Sequence, residues 1–470
     1  MTLPLWTADE LVDATGGCLS APFDANGVSI DSRTLAAGDL FVALVGDGRD
    51  GHAFLADAQR AGAAGAMVHQ DAGPVLPVLH VDDTLAALAR LGGFARARFG
   101  DGEAGGRLVA VTGSVGKTTT KEMLRIALSA FGPTHAAAAS YNNHWGLPLT
   151  LARTPRTAKF CIAEIGMNHS GEVEPLARLA RPHVAVITTI AKAHVGHLGS
   201  IEAIADEKAC IMRGLERGGI AVLPIDSPLF PRLQAAAGKT SIMTFGTDAS
   251  ADVRLVDVEA DANGSLVHVN IIDHVTSLRL KAPGRHMAMN ATATLAAVVA
   301  LSLDPTRAVA ALETFAPLAG RGIRREITVA NGTALLLDES YNGNGASMRA
   351  ALDVLGLQPA RRRIAVLGDM LELGDEGPSE HAALADAVNF SADLLFTCGP
   401  LMQNLFDAVP ANRQGAHAAD SGALAPIVSA SITPGDAILV KGSLGSGMKR
   451  VIEAIEAVSS RPTTVTAGAG

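Results

Sequence analysis

Residues 108–121 read LVAVTGSVGKTTTK, an apolar run followed by a glycine-containing turn and the start of a helical pattern. Such a turn exposes backbone N–H groups at a helix N-terminus, where these groups and the helix dipole bind phosphate oxygens. In this pattern Lys117 reaches the terminal phosphate oxygens, and the hydroxyl of Thr118 can bind Mg²⁺. The segment therefore predicts a nucleoside triphosphate site. Its predicted contacts are Gly113, Ser114, Val115, Gly116, Lys117, Thr118 and Thr119.

The spacing within this loop is shorter than the common Walker spacing. Val111 stands five positions before Gly116, where the Walker pattern has a glycine, and the nearer glycine is Gly113. A bare Gly-x-x-Gly-Lys-Thr sequence also occurs in ordinary glycine-rich turns, so the strand before it and the helix after it carry the prediction. The loop alone does not identify a reaction.

Polar side chains follow two further apolar runs. Glu164 ends the run in AEIGMNHSG, and His194 follows another in TTIAKAHVGHLGS, where His197 is an equally plausible candidate. Ligands of parallel α/β folds collect at the carboxyl ends of strands, so both side chains are expected near the Mg²⁺ of the nucleotide.

Three later segments carry candidate ligand residues. Lys208 lies on a predicted helix, and its spacing favours a solvated lysine paired with Asp206 or Glu207. In GRHMAMNATATLAA, His286 and Asn290 share one helical face. The segment LLLDESYNGNGASM (335–348) places a polar turn after a strand, a common ligand-binding position.

The elements that must position these residues follow an α/β order. Short apolar runs alternate with alanine-rich helical stretches, which is typical of parallel sheets with crossover helices. Residues 251–284 alternate polar and apolar residues around an Asn-Gly turn and predict antiparallel strands appended to the central domain. Segments rich in glycine or proline, 100–107 and 315–322, predict domain boundaries. The predicted domains are 1–105, 106–318 and 319–460, followed by a loose tail at 461–470.

Composition restricts the class of protein. The chain of 470 residues is 48% hydrophobic and 18% charged, a globular balance, and its net charge of −9 argues against a general nucleic-acid or anionic-membrane binder. The N-terminus lacks a secretory or transit pattern, which predicts a cytoplasmic protein. The apolar stretch 291–303 is too short to cross a bilayer. The four cysteines have no spacing typical of zinc or redox sites.

Several motifs together resemble a known family. The shortened loop, IAEIGMNHSGE, AHVGHLGSIEAIADEKACI, GRHMAMNA and LDESYNGN stand in the order and approximate spacing of the Mur ligases of peptidoglycan synthesis. The resemblance covers nearly the whole chain. It implies an N-terminal UDP-binding α/β domain (27–54 carry the likeness), a central P-loop ATPase-type domain with a mostly parallel sheet, and a C-terminal Rossmann-like domain that binds the incoming substrate.

The resemblance also implies an activity. YNNHWGLPLTL (141–151) and DESYNGN are similar to the last ligase of the series, which uses ATP to join D-alanyl-D-alanine to UDP-N-acetylmuramoyl-tripeptide through an acyl phosphate. Two Mg²⁺ ions, and a carbamate formed on Lys208 from CO₂, are implied with it. A monomer that binds no nucleic acid and does not insert into membranes is expected.

The residues alone leave three alternative functions open. The ligase that adds the third, diamino residue typically carries an Asp-Asn-Pro-Arg motif, which does not occur here. A folylpolyglutamate synthase-like ligase has a similar shortened loop, and a non-catalytic ATP-binding switch would need only the loop.

The resemblance assigns roles to individual positions. The implied catalytic residues are Lys117, Glu164, His194, Lys208 and Arg321. The implied Mg²⁺ ligands are Thr118, Glu164, His194 and carbamylated Lys208. The nucleotide contacts, besides the loop, are Asn290, Arg321, Glu339, Tyr341 and Asn342, with Asp338 as the alternative to Glu339 and Arg324 or Arg325 as the alternatives to Arg321. The contacts to the UDP-sugar peptide and the acceptor are Ser32, Arg33, Thr34, Asn142, Asn143 and Asn344.

Two positions depart from the family pattern. Met287 stands where the family often has asparagine, and Leu444 stands where it often has arginine or asparagine.

Overall fold

The structure is a computed structural model that describes residues 3–46, 48–71, 73, 76–101, 105–137, 140–192 and 195–459. Within these residues, no helix has both the length and the apolar character needed to cross a membrane. The predicted tail at 461–470 lies outside the described residues. None of the four cysteines forms a disulfide, in line with the absence of paired spacing.

The N-terminal part contains a five-stranded sheet in the order β1-β7-β6-β3-β2, parallel except for β1. A separate hairpin pairs β4 with β5. The strands are β1 (Cys18–Leu19), β2 (Gly27–Ser29), β3 (Asp39–Val42), β4 (Val45–Gly46), β5 (Arg49–Asp50), β6 (Gly65–Val68) and β7 (Val78–His80). The helices are α1 (Ala8–Thr15), α2 (Leu55–Arg60) and α3 (Thr84–Asp101), with a 3₁₀ turn at Gly51–Phe54.

The central part is built on a nine-stranded sheet in the order β16-β15-β14-β13-β12-β11-β8-β10-β9. Its strands are β8 (Arg107–Thr112), β9 (Thr134–Ala136), β10 (Phe160–Glu164), β11 (Val184–Ile187), β12 (Ile220–Pro224), β13 (Ser241–Gly246), β14 (Val253–Ala260), β15 (Ser265–Ile271) and β16 (His274–Leu280). The strands from β8 to β14 pair in parallel. β14 and β15 pair antiparallel around the Asn263-Gly264 turn, and β15 and β16 pair antiparallel around Ile272-Asp273, so the antiparallel strands are present as the alternation predicts.

Helices cover both faces of this sheet. They are α4 (Lys117–Ser129), α5 (Gly146–Ala152), α6 (Val173–Ala180), α7 (Val195–Leu198), α8 (Ile201–Ala209), α9 (Phe230–Ala237), α10 (Arg285–Ala300) and α11 (Pro305–Leu312), with a 3₁₀ helix at Cys210–Gly214. α4, α10 and α11 pack on one face and α5, α6 and α8 on the other, so the central strands are buried on both sides. Strands buried on both faces read as continuous apolar runs, which is why the sequence reveals them.

The C-terminal part has a six-stranded sheet in the order β17-β18-β22-β19-β20-β21, parallel except for β17. Its strands are β17 (Ile323–Val329), β18 (Gly332–Glu339), β19 (Arg362–Gly368), β20 (Leu394–Cys398), β21 (Gln414–Ala418) and β22 (Asp436–Lys441). The helices are α12 (Gly345–Gly356), α13 (Gly377–Ala382), α14 (Ala385–Ser391), α15 (Met402–Ala408), α16 (Ser421–Ser431) and α17 (Lys449–Ser459). Short 3₁₀ helices lie at Gly374–Glu376, Ala411–Arg413 and Leu444–Ser446.

The central and C-terminal parts contact each other through the segment after β11 and the segment after β19. Lys192 forms ion pairs with Glu376 at 2.8 Å and Glu380 at 3.0 Å. The backbone N–H of Gly196 donates to the carbonyl of Glu372 at 2.9 Å. The predicted α/β class with three sheet-based parts is confirmed, while the domain boundaries at 105, 318 and 460 stay a prediction.

Candidate functional site

The phosphate-binding loop runs from the end of β8 to the start of α4, and two of its glycines are required by their surroundings. Gly113 has φ +148° and Gly116 has φ +88°, conformations that side chains disfavour. A Cβ at Gly113 would lie 2.0 Å from Oγ1 of Thr188, and a Cβ at Gly116 would lie 2.4 Å from Oδ1 of Asn290. A side chain in place of Gly113 would clash with Thr188, and a side chain in place of Gly116 would have to displace the carboxamide of Asn290.

Neighbouring residues fix the shape of this loop. The N–H of Ser114 donates to the carbonyl of Thr189 at 2.7 Å, and its hydroxyl donates to the carbonyl of Ala191 at 2.9 Å. The hydroxyl of Thr188 donates to the carbonyl of Val115 at 2.5 Å. The loop is therefore held in place by the segment after β11. Sequence reasoning missed Thr188, whose position in TTIAKAH, just past an apolar strand, is the signal that could have identified it.

Lys117 begins α4 and lies inside the loop. Its Nζ donates to the carbonyl of Gly113 at 2.8 Å. Enclosure by the site lowers the pKa of Lys117, and the negative charge of Glu164 opposes that effect. The ammonium group is thus positioned within the turn that the sequence predicts to bind phosphate.

Glu164 forms the centre of a hydrogen-bond network at the end of β10. Its two oxygens accept from Oγ1 of Thr118 at 2.9 Å and from Nδ2 of Asn142 at 2.9 Å. The Thr118 hydroxyl also lies 3.2 Å from the hydroxyl of Ser140, which accepts from Arg321 at 3.2 Å. The network joins oxygen donors of the kind that Mg²⁺ prefers.

This network fits a magnesium site that includes phosphate oxygens. Among the described residues, no three His, Cys, Asp or Glu side chains cluster as a metal site by themselves. The carboxylate of Glu164 and the hydroxyl of Thr118 supply two hard oxygen donors, and Mg²⁺ in nucleotide sites commonly takes few protein ligands together with substrate oxygens. His194 lies outside the described residues, as does the side chain of its alternative His197.

Lys208 is a buried residue of α8, with 1% of its surface exposed. The alternative of a solvated lysine is therefore wrong. Burial holds the pKa of Lys208 well below its usual value, and the charge of Lys117 lowers it further, while Glu207 opposes both effects. The carboxylate of Glu207 instead accepts from the N–H groups of Gly171 and Val173, each at 2.8 Å. Helical spacing did not reveal this burial, because burial depends on tertiary packing, which spacing along one helix does not report.

A cavity of about 250 Å³ lies between the phosphate-binding loop, α10 and the C-terminal sheet. It brings together most of the predicted site. The predicted residues that line it are Ser114, Val115, Gly116, Lys117, Thr118, Thr119, Asn142, Glu164, Asn290, Arg321, Glu339, Tyr341, Asn342 and Asn344. It is also lined by Ser140, Ser347 and Lys441, which sequence reasoning missed, and by His286. Burial lowers the pKa of His286.

The structure separates Arg321 from its two alternatives. The guanidinium carbon of Arg321 lies 4.1 Å from the centroid of the Tyr341 ring, a cation–π contact at the wall of the cavity. Arg324 instead donates to the carbonyl of Asn263, and Arg325 pairs with Asp338 at 3.2 Å. Of these three arginines, Arg321 alone lines the cavity.

Glu339 and Asp338 are likewise separated. Glu339 lines the cavity and accepts from Nζ of Lys441 at 3.3 Å, and Lys441 also donates to the carbonyl of Asn342 at 2.9 Å. The carboxylate of Asp338 accepts from Ser340 and Arg325. Lys441 ends β22 in the VKGSLGSGM motif, and its place at a strand end is the signal that could have identified it.

Some predicted contacts lie outside the cavity. Ser32, Arg33 and Thr34 are on the N-terminal part, where the Arg33 guanidinium pairs with Asp31 at 2.6 Å and is 80% exposed. Oδ1 of Asn143 accepts from the N–H of Gly146 at the start of α5. The substrate roles of these four residues stay predictions.

Three family models match this chain. Residues 24–92 match the model described as Mur ligase family, catalytic domain, and residues 111–298 match the Mur ligase middle domain. Residues 323–444 match the model described as Mur ligase, glutamate ligase domain. This chain belongs to the Mur ligase family.

Curated Mur ligases match it over almost its full length. The UDP-N-acetylmuramoyl-tripeptide--D-alanyl-D-alanine ligase of Synechocystis sp. is 34% identical and covers 95% of each chain. The enzyme of the same name from Escherichia coli is 33% identical and covers 96% of this chain and 98% of its own.

Solved Mur ligase structures share its fold. A MurF crystal structure from Acinetobacter baumannii has a TM-score of 0.83 at 30% identity, with 96% of this chain and 99% of that chain covered. A MurF ligase from Thermotoga maritima, solved in complex with ADP, has a TM-score of 0.75 at 25% identity, with 92% and 97% covered.

Proposed function

We propose that this Mur ligase joins D-alanyl-D-alanine to UDP-N-acetylmuramoyl-tripeptide, with ATP converted to ADP and phosphate. The observation that carries the proposal is the single cavity in which the phosphate-binding loop faces Arg321 and the C-terminal strand ends. Relatives that match over nearly the whole chain carry the name of this activity. ATP and a nucleotide-linked sugar are cytoplasmic metabolites, so we also propose a cytoplasmic location.

The chemistry requires two anions to meet. A substrate carboxylate oxygen attacks the γ-phosphorus of ATP, ADP leaves, and an acyl phosphate forms. The incoming amine then attacks the acyl carbon, loses a proton, and displaces phosphate. Lys117 and Arg321 offset the repulsion between carboxylate and γ-phosphate, because fixed positive charge stabilises charge that spreads over the transferring group.

We propose that Thr118 and Glu164 hold Mg²⁺, with His194 and carbamylated Lys208 as further ligands. Bound Mg²⁺ would neutralise part of the phosphate charge and orient the triphosphate. The hydrogen bonds from Asn142 and Thr118 hold both oxygens of Glu164.

The carbamate on Lys208 is supported by the electrostatics of that residue. CO₂ adds to a neutral amine, and burial beside Lys117 favours the neutral form of Lys208. The addition releases a proton and gives a negatively charged carbamate, whose oxygens are donors of the kind that Mg²⁺ prefers.

The cavity also supports the proposed nucleotide contacts. Asn290 touches the loop at Gly116 and has only 8% of its surface exposed, which suits a residue that reads the adenine edge. We propose that Glu339, which accepts from Lys441, also accepts from ribose hydroxyls. We propose Tyr341 and Asn342 as further nucleotide contacts, and Asn142 and Asn344 as contacts to the peptide substrates.

The test is an incubation with ATP, Mg²⁺ and UDP-N-acetylmuramoyl-tripeptide, followed by mass spectrometry of the product. D-alanyl-D-alanine should give the pentapeptide, and Lys117→Ala should give none while its fold is retained. In a parallel arm, the UDP-dipeptide and a diamino acid should give no product. Product only in that arm would move the assignment one step earlier in the series, and product in neither arm would reject the ligase proposal.

A further inference from the structure

Lys121 is a buried lysine that has no part in the chemistry described above. It lies on α4 one turn after Lys117, and 1% of its surface is exposed. Its Nζ donates to the carbonyl of Ala137 at 2.6 Å. Lysine is rarely buried, because the removal of an ammonium group from water is costly. Such a side chain stays buried only where its contacts offset that cost.

Ala137 begins the segment that joins β9 to α5, which we name the β9–α5 segment. The structure describes Ala137 and residues 140–145 of it. β9 is an edge strand of the central sheet, and its pairing with β10 ends at Ala136. The carbonyl of Ala137 lies just beyond that pairing and accepts from Lys121. Lys121 thus attaches the start of the β9–α5 segment to α4.

The same segment supplies two side chains to the hydrogen-bond network of the site. The hydroxyl of Ser140 lies 3.2 Å from Oγ1 of Thr118. Nδ2 of Asn142 donates to Glu164 at 2.9 Å. The position of the segment therefore decides which groups surround Thr118 and Glu164.

The β9–α5 segment has a second attachment further along the chain. The N–H of Gly166 donates to the carbonyl of Asn142 at 2.8 Å, and a Cβ at Gly166 would lie 2.8 Å from Cγ of Asn142. Ser140 lies between this attachment and the contact of Ala137 with Lys121. The two attachments together hold the segment at both ends of its functional part.

The charge of Lys121 is also within electrostatic reach of Glu164. Burial lowers the pKa of Lys121, and the negative charge of Glu164 opposes this effect. Lys121 is not among the described residues that line the cavity around the phosphate-binding loop. We therefore expect it to act on the site without direct contact with ATP.

We propose that Lys121 is a positioning residue for nucleotide binding. By attaching the β9–α5 segment to α4, it places Ser140 and Asn142. These two side chains in turn orient Thr118 and Glu164, the proposed Mg²⁺ ligands. The inference rests on the proposed function and deepens it. Groups that orient metal ligands typically cost about 10–100-fold in metal affinity or activity when they are removed.

The test measures the Kd of a non-hydrolysable ATP analogue with Mg²⁺ and in EDTA, by displacement of a fluorescent nucleotide. Lys121→Met removes the ammonium group and keeps an unbranched side chain. It should raise the Kd with Mg²⁺ about tenfold and the Kd in EDTA by less than about twofold, because the effect passes through the Mg²⁺ ligands. Lys121→Arg keeps a cationic donor, and both Kd values should stay close to those of the wild type.

Arg363→Met is a matched control in the C-terminal part. The guanidinium of Arg363 donates to the carbonyl of Gln358 at 3.1 Å, and neither residue is among the described residues that line the cavity. Both methionine variants remove a cation from a backbone carbonyl, so both should lower the Tm. Only Lys121→Met should change the Kd with Mg²⁺, which separates a loss of stability from a loss of positioning.

Two further variants complete the test. If Lys121→Met does not fold, Lys121→Gln takes its place, and its shorter, uncharged side chain should also raise the Kd with Mg²⁺ alone. Asn142→Ala should raise the same Kd. Lys121→Met should then raise it less in the Asn142→Ala background than in the wild type, because both substitutions act through one segment.

Three outcomes would overturn the inference. They are an unchanged Kd with Mg²⁺ in Lys121→Met or its replacement, an equal rise with Mg²⁺ and in EDTA, and effects that multiply fully in the double variant. None of them bears on whether the wild type makes the pentapeptide. A wild type that binds the ATP analogue but gives no product with D-alanyl-D-alanine would overturn the proposed function, while the Kd values decide on Lys121 separately.

Discussion

Gly116→Ala tests the contact between the phosphate-binding loop and Asn290. Gly116 has φ +88°, and its Cβ would lie 2.4 Å from Oδ1 of Asn290. The substitution therefore has two separable effects, one on the backbone and one on the carboxamide of Asn290.

The backbone effect has a matched control at Gly218. Gly218 has φ +78°, and no heavy atom lies within 4 Å of the place that a Cβ would take there, so Gly218→Ala adds strain without a clash. A left-handed alanine costs about 1–2 kcal/mol, and restriction of the unfolded chain returns about 0.4–1 kcal/mol. Both variants should thus lower the free energy of unfolding by about 1 kcal/mol.

The second effect belongs to Gly116→Ala alone. Oδ1 is the end of a side chain that can rotate, so the clash moves the Asn290 carboxamide and does not break the loop. If Asn290 reads adenine, the loss of one hydrogen bond weakens nucleotide binding by about 0.5–1.5 kcal/mol, or about twofold to thirteenfold. Gly218→Ala should leave nucleotide binding unchanged.

The assays are urea denaturation for stability and calorimetric titration with a non-hydrolysable ATP analogue for the Kd. Asn290→Ala should raise the Kd by a similar factor. The double variant, Gly116→Ala with Asn290→Ala, should have nearly the same Kd as Asn290→Ala alone, because both substitutions act through the Asn290 carboxamide. An unchanged Kd in Gly116→Ala would refute the reasoning, as would full additivity in the double variant.

Two other predictions concern a half-buried histidine and a buried lysine. Burial, together with the positive charge of Arg96, lowers the pKa of His183 from 6.5 to about 4. As the pH falls, His183 is therefore protonated in the unfolded chain at a higher pH than in the folded protein. The contribution of His183 to the free energy of unfolding should be complete above about pH 6.5, decrease between pH 6.5 and 4, and stay constant below pH 4. Urea denaturation at several pH values should show a smaller decrease in His183→Gln. An equal decrease in the wild type and the variant would contradict the assignment to His183. Lys208→Ala should lose ligase activity and regain part of it when short carboxylic acids are added, whereas full activity in this variant would reject the carbamate.

Much of the fold could be predicted from the sequence because local signals carry it. The parallel strands of the central sheet are continuous apolar runs, since helices cover both faces. The Asn263-Gly264 turn identifies the antiparallel strands, and Glu164 is recognisable because it ends a buried strand.

Other parts of the site depend on tertiary contacts that no local pattern carries. Adjacent positions on β18 point to opposite faces, so a slip of one residue exchanges Asp338 for Glu339, and only the register of the sheet decides between them. Lys208 has the helical spacing of a surface lysine, yet it is buried. Ser140 is a single hydroxyl outside any motif, and its role follows from its contacts with Thr118 and Arg321.

The central claim is that a substrate carboxylate is activated by ATP and then joined to D-alanyl-D-alanine. The most direct measurement uses UDP-N-acetylmuramoyl-tripeptide with ¹⁸O at both oxygens of its terminal carboxylate, and follows the label in the phosphate released. The account predicts one ¹⁸O atom in each phosphate, with release dependent on the dipeptide, because the oxygen that attacks the γ-phosphorus leaves with it. Unlabelled phosphate, or release that does not depend on the dipeptide, would contradict the account and indicate simple ATP hydrolysis.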